Sequence, residues 1–280
     1  MLTDVTGIRV GHWTDAAART GCTAIVLPPG SVASGEVRGG APGTREFELL
    51  VPGRLVTHVD VVMLSGGSAF GLATCDGAMR WCEEQGFGYE TRAGRVPIVV
   101  GAIIYDLAVG DGSVRPDAAA GYAACTAAHH GTVETGPVGA GAGATIGKIG
   151  GPDTTRPGGV GSATERDGDL VVSALVVANA SGHLRDPSRT ALPWPAAPVA
   201  PLDNTTIGVI ATNAALDKTG CHLTAQSGHH GIARAFDPSH TRFDGDALVA
   251  VATGVVEADV DEVRFLAAHA VEAACRQAVP

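Results

Sequence analysis

Residues 183–204 read HLRDPSRTALPWPAAPVAPLDN, and five prolines in that stretch exclude regular helix or sheet across it. The residues that follow, TTIGVIATNA from Thr205, make a buried-strand pattern with no turn leading into it. Any fold this chain adopts must bring a buried strand straight out of a proline-rich connection. The plain reading is a surface linker between two domains. The sharper reading makes its far end a cleavage point and sets Thr205 at the very edge of a sheet.

Further apolar runs read as strands at 23–27, 59–64, 170–179, 206–212 and 247–253, rich in Val and Ile and bounded by Gly, Pro or Asp. They are continuous rather than alternating, which predicts sheets covered on both faces. Alanine-rich stretches between them predict helices over 69–85, 116–130, 216–236 and 259–278. Ser68 is a candidate cap for the first. Pro116 opens the second and Gly131 follows it. Strands mixed with helices give an α/β or α+β class.

Composition narrows the function. With 39 glycines among 280 residues, 45% hydrophobic and 17% charged, the chain is globular and rich in tight turns and close backbone contacts. The net charge of −10, with no Lys/Arg cluster, argues against nucleic acid or an anionic membrane as partner. Residues 1–13 lack the basic and apolar regions of a signal peptide, and the runs 96–109 and 170–180 are too short or interrupted to span a bilayer. Six scattered cysteines without a C-x-x-C pair fit free thiols and a cytoplasmic location. Cys22, Cys75 and Cys125 read as core, and Cys221 reads as structural although it lies near the proposed site.

A threonine hydroxyl is a weak nucleophile unless a base stands beside it. A chain that begins with Thr carries its own base, because an α-amine with a pKa of about 7.7–8.0 is partly neutral near pH 7. An internal Thr has only an amide nitrogen. Activating Thr205 therefore requires scission of the Asn204–Thr205 bond, by an N→O acyl shift and hydrolysis of the ester. The ordinary reading of Asn-Thr-Thr is a strand start, since Thr favours strands.

Other motifs carry paired readings. In FDGD, Asp244 and Asp246 flank Gly245 and can converge on one point; the same residues also spell a hairpin turn. The run GAGAGATIGK at 139–148 departs from a phosphate loop at Ala142 and Ile149, and its match to a dinucleotide fingerprint at Gly139, Gly141 and Ala144 is loose. His222, His229, His230 and His240 cluster without a zinc spacing and read as exposed and half-buried positions of a helix and the loop after it. Neither a metal nor a cofactor is expected.

Long blocks in order complete the reading: GIRVGHW at 7–13, GGAPGTRE at 39–46, LSGGSAFGL at 64–72, the glycine run at 139–148, NTTIGVIATNAAL at 204–216 and FDGD at 243–246. With these, nearly the whole chain resembles the L-aminopeptidase/D-esterase and β-aminopeptidase family of self-processing N-terminal nucleophile hydrolases. It looks most like the threonine branch, which includes nylon-oligomer hydrolases and a pantetheine hydrolase. The resemblance implies an α+β, four-layer αββα sandwich, cleaved into fragments 1–204 and 205–280 and assembled as a homotetramer. It implies Thr205 as nucleophile and Asn204 as the last residue of the first fragment. Asp244 and Asp246 match the acidic pair of the threonine branch, where the serine β-aminopeptidases carry a serine and a glutamate. Lys148, Asn179 and Tyr105 fall where the family keeps its remaining active-site groups.

The chemistry of these side chains agrees. Asp244 can hold the Thr205 hydroxyl or amine while Asp246 orients its neighbour. An ammonium at Lys148 lowers the amine pKa and steadies a negative intermediate; Asn179 can donate to an oxyanion. Tyr105 either donates there too or closes the pocket wall. The expected substrate is a small peptide or amide, left open among α-peptides, β-peptides, pantetheine-like amides and synthetic oligoamides. Rival readings are an acyltransferase acting on ornithine or glutamate derivatives, and an uncleaved binding module.

Overall fold

The computed structural model describes residues 1–186, 188 and 204–280. Ten strands build its two main sheets: β1 (Arg9–Asp15), β2 (Thr20–Val26), β3 (Val32–Val37), β4 (Thr44–Arg45), β5 (Val61–Ser65), β6 (Val99–Ile103), β7 (Gly159–Asp167), β8 (Leu170–Asn179), β9 (Thr205–Ala214) and β10 (Ala247–Val256). They form two five-stranded sheets, ordered β1-β2-β5-β6-β4 and β7-β8-β9-β10-β3. The long helices are α1 (Thr74–Glu84), α2 (Ala118–Thr126), α3 (Lys218–Ala235) and α4 (Val260–Gln277).

Strand geometry sorts the side chains into layers, because successive residues point to opposite faces. Along β8, Val171, Leu175 and Val177 pack toward the first sheet, whereas Val172, Ala174, Val176 and Ala178 pack with residues of α3 and α4. In the first sheet, Ile25, Val62, Leu64 and Val100 meet the second sheet, and Cys22, Ala24, Val26, Met63 and Val99 meet α1 and α2. Apolar residues on both faces are what a continuous apolar run supplies. The result is the expected α+β sandwich with layers αββα, and all six cysteines are free and buried in it.

Several local expectations change. The helix expected over 69–85 splits into a 3-10 turn at Ser68–Ala73 and α1, and Ser68 takes a left-handed φ of 54° instead of capping. The second helix starts after Pro116, at Ala118, because the Asp117 carboxylate accepts from the Ala120 N–H at 2.9 Å. Helix α3 holds together despite its glycines, which close it on α4: a Cβ at Gly231 would sit 2.4 Å from the Ala268 carbonyl oxygen. Strands β1, β3 and β7 escaped the apolar-run criterion because Gly, His, Ser, Thr and Glu interrupt their patterns.

The proline-rich segment also begins differently. His183 and Leu184 pair with Asp237 and Phe236, so sheet structure reaches into its start, ahead of the first proline. Residues 187 and 189–203 lie outside the described residues. At the far end, β9 is the central strand of its sheet rather than an edge, and Thr205 is its first residue. Among the described residues no helix is long and apolar enough to cross a membrane.

The inter-sheet core is testable. Leu175 is completely buried between the sheets, so Leu175→Ala is expected to cost about 2–5 kcal/mol through lost burial and the cavity left behind. Urea unfolding should show a lowered midpoint with an unchanged slope; an unshifted midpoint would contradict this packing.

Candidate active site

Thr205 is held from both sides at the head of β9. Across the antiparallel ladder it faces Asn179, the last residue of β8. On the other flank Asn204 bridges Asp244 in parallel register, three positions ahead of β10. That register carries one ladder bond of consequence: the Gly245 N–H donates to the Asn204 carbonyl oxygen at 3.0 Å. The Thr205 hydroxyl donates to the same oxygen. The Thr205 hydroxyl and a backbone donor thus converge on the peptide bond at 204–205. Gly245 is required there, since a Cβ would stand 2.4 Å from the Ala41 carbonyl oxygen and 3.0 Å from Thr205 Oγ1.

Asn204 and Thr205 are 3% and 4% exposed, so this peptide bond is shielded from bulk water. Among the described residues, the side-chain oxygens of Asn204 and Thr206 are buried with no hydrogen-bond partner. Leaving a buried polar group unpaired costs about 1–3 kcal/mol.

Lys148 reaches the site from the turn after the glycine run. The Gly147 N–H donates to the Gly182 carbonyl at 2.8 Å and the Ile149 N–H to the Ser181 carbonyl at 2.9 Å, laying this turn along the end of β8. From there the Lys148 ammonium donates to Asn179 Oδ1 at 2.8 Å, the Asn179 carbonyl at 3.1 Å and the Thr145 carbonyl at 2.9 Å. Asn179 is fully buried; its Oδ1 also accepts from the Thr145 N–H, and its Nδ2 donates to the Tyr105 carbonyl at 3.3 Å. Tyr105 therefore joins this network through its backbone oxygen.

The two aspartates do different work. The Asp244 carboxylate accepts from the Ser181 N–H and hydroxyl at 3.2 and 2.9 Å, and from the Thr241 N–H at 2.9 Å and its hydroxyl. It braces the 241–245 loop against the end of β8, and this brace aims the Gly245 N–H. Asp246 Oδ1 accepts from the Thr206 N–H at 2.6 Å, one residue after Thr205. Its Oδ2 lies 2.7 Å from His240 Nδ1. Burial pushes the Asp246 carboxyl above its usual range; Asp244 adds to that, and the His240 bond opposes it. Burial pulls His240 down, but the bond to Asp246 and its charge outweigh it, so the imidazole is raised.

Six residues singled out in the sequence, Thr205, Asn204, Lys148, Asn179, Asp244 and Asp246, therefore come together around one peptide bond, with Tyr105 behind Asn179. Ser181, Thr241, the Gly245 N–H and His240 complete the arrangement, and the motifs gave no sign of them. The other three of that cluster, His222, His229 and His230, lie on α3: His222 Nδ1 is 3.1 Å from the Gly35 carbonyl, and His229 is fully buried rather than on an exposed or half-buried face. Among the described residues no group of three or more His, Cys, Asp or Glu is placed to hold a metal ion.

Comparison with known proteins identifies the family and the fold. Residues 1–280 match peptidase family S58. The chain is 44% identical to an uncharacterized aminopeptidase of Mycobacterium tuberculosis, over 91% of this chain and 82% of that protein. It is 31% identical to a 6-aminohexanoate-oligomer endohydrolase of Agromyces sp., over 91% of this chain and 75% of the relative. The L-aminopeptidase D-Ala-esterase/amidase from Ochrobactrum anthropi, described as a variant among the Ntn hydrolase fold, superposes with a TM-score of 0.78 at 22% identity, covering 99% of this chain and 85% of its own. The αββα sandwich is thus the Ntn-hydrolase fold, and the match along the entire chain makes this protein an amide hydrolase of peptidase family S58.

Proposed function

We propose that the protein cleaves its own Asn204–Thr205 bond and then uses Thr205 as an N-terminal nucleophile on small linear amides. The observation that carries this reading is the meeting of the Thr205 hydroxyl and the Gly245 N–H on the Asn204 carbonyl.

In the first step Thr205 Oγ attacks the Asn204 carbonyl carbon. The Gly245 N–H is aimed at the oxygen on which negative charge develops, and a preorganised donor costs no reorganisation at that moment. The C–N bond breaks, the hydroxyl proton ends on the Thr205 nitrogen, and an ester joins Asn204 to Thr205 Oγ. Water then hydrolyses the ester, leaving an Asn204 carboxylate and a free Thr205 amine and hydroxyl. Among the described residues the buried Asn204 side-chain oxygen has no partner, and scission frees that residue to find one, which favours the same direction.

In turnover the Thr205 amine accepts the proton of Oγ as the hydroxyl attacks the substrate carbonyl, and returns it to the leaving nitrogen. The Lys148 ammonium, held beside Asn179, supports the neutral amine by like-charge repulsion and steadies the oxyanion together with the Asn179 amide. Tyr105 walls the pocket. Water rather than a second amine resolves the acyl-enzyme; the names of the relatives, an aminopeptidase and an oligoamide endohydrolase, favour hydrolysis of a peptide or linear oligoamide. The reading extends to a cytoplasmic homotetramer of cleaved protomers, supported by the free buried thiols and by the family resemblance.

Two substitutions test the mechanism. Thr205→Ala is expected to abolish self-cleavage and all turnover of an amide panel, whereas Thr205→Ser retains both; activity in the alanine variant would refute the assignment. Gly245→Ala pushes the backbone donor away from the Asn204 oxygen, and self-cleavage followed by gel electrophoresis should slow about a hundredfold, the usual cost of losing an oxyanion donor. Cleavage at the parental rate would remove the Gly245 N–H from the mechanism.

A further inference from the structure

His240 stands on the side of Asp246 away from the nucleophile, and its hydrogen bonds fix where its protons are. Its Nε2 lies 3.1 Å from the His229 carbonyl oxygen. A carbonyl only accepts, so Nε2 carries a hydrogen. With Nε2 so occupied, the 2.7 Å contact between Nδ1 and Asp246 Oδ2 holds one further proton. Either the imidazole is a cation facing a carboxylate, or a neutral imidazole accepts from a carboxylic acid. Two backbone donors on Asp246, the Thr206 N–H at 2.6 Å and the His240 N–H at 3.2 Å, favour the ion pair. In both forms the two side chains together are neutral.

We infer that His240 is a positioning residue that cancels the charge of Asp246, leaving the Thr205 amine to sense Lys148 and Asp244 without a second uncompensated anion. This rests on the N-terminal nucleophile reading given above. The reason is proximity: Asp246 bonds the amide directly after Thr205, so a bare carboxylate there would stabilise the ammonium form of the amine and remove its base. Asp246 is 1% exposed, so water does little to screen that charge.

The surroundings of His240 keep this balance. Asp246 faces it from the chain leading into β10, and Asp244 lies beyond Asp246. From α3, His229 packs edge-on at 4.9 Å between ring centroids; its own imidazole is pulled down to about 3 by burial, so it stays neutral. Arg38, after β3, opposes a proton on His240, but it is paired with Glu36 at 3.3 Å. His230 and Glu36 act on His229 rather than on His240 directly. Asp246 is the partner strong enough to hold the extra proton.

Removing the imidazole tests this. In self-cleaved His240→Gln, the amide side chain can still bond Asp246 but cannot neutralise it. The acid limb of kcat/KM should then move up by about one pH unit, the size expected for one added charge near the amine. An acid limb at the parental pH would overturn the inference. A second measurement needs no variant: histidine-selective nitrogen NMR on the intact enzyme should find Nε2 of His240 protonated throughout, with a titration midpoint above the ordinary value of about 6.5. A bare Nε2, or a midpoint at or below that value, would also overturn it. If the parental enzyme neither cleaves itself nor hydrolyses amides, the nucleophile reading fails, and the NMR result still decides the state of the pair.

Discussion

The site depends on the register in which β9 begins. Asn179 on one flank and the 244–245 segment on the other fix Thr205 at the first rung of the central strand. A slip of one residue would turn the Thr205 side chain to the opposite face of the sheet and aim the Gly245 N–H at a different carbonyl. The central place of β9 protects that register. It is paired along its length with β8 and with β10, and its side chains are buried on both faces. Hydrophobic burial on either side of the second sheet thus holds the Thr205 hydroxyl against the Asn204 carbonyl.

Around this anchor, charge is placed rather than merely present. Lys148 is tied to the end of β8 by Asn179 and Thr145, and Asp244 is consumed by donors from Ser181 and Thr241. Asp246 bonds the Thr206 amide and shares a proton with His240. Burying a lone charge is expensive, and each of these groups meets that cost with a named partner. The partners also set direction: a cation lies on the Asn179 side of Thr205, and a braced carboxylate and a neutral pair lie on the other. An amine freed at Thr205 would sit between them.

Much of this was legible in the sequence, and the exceptions have physical reasons. Sheets covered on both faces could be read because β8, β9 and β10 are predominantly apolar and do not alternate, whereas the αββα order came from the family resemblance. The strands with mixed residues, such as Val32–Val37, could not, because their polar positions are satisfied by contacts from distant parts of the chain: the Ser34 hydroxyl donates to the Leu50 carbonyl at 2.6 Å. Helix starts moved to Asp117 and Asp217, where a carboxylate caps the first turn. Asn204, Thr205 and the FDGD pair were found because they lie in long recognisable blocks. Ser181, Thr241 and the Gly245 N–H were missed because they act through loop geometry and backbone atoms. His240 was grouped with the other histidines by chain proximity, although the structure pairs it with Asp246.

The central claim is a single backbone scission at a chosen bond. End-group sequencing of the purified protein, after incubation at neutral pH, tests it most directly. Two starts are expected, one at Met1 and a second reading Thr-Thr-Ile-Gly. A preparation that shows only the Met1 start, however long it is kept, would contradict it.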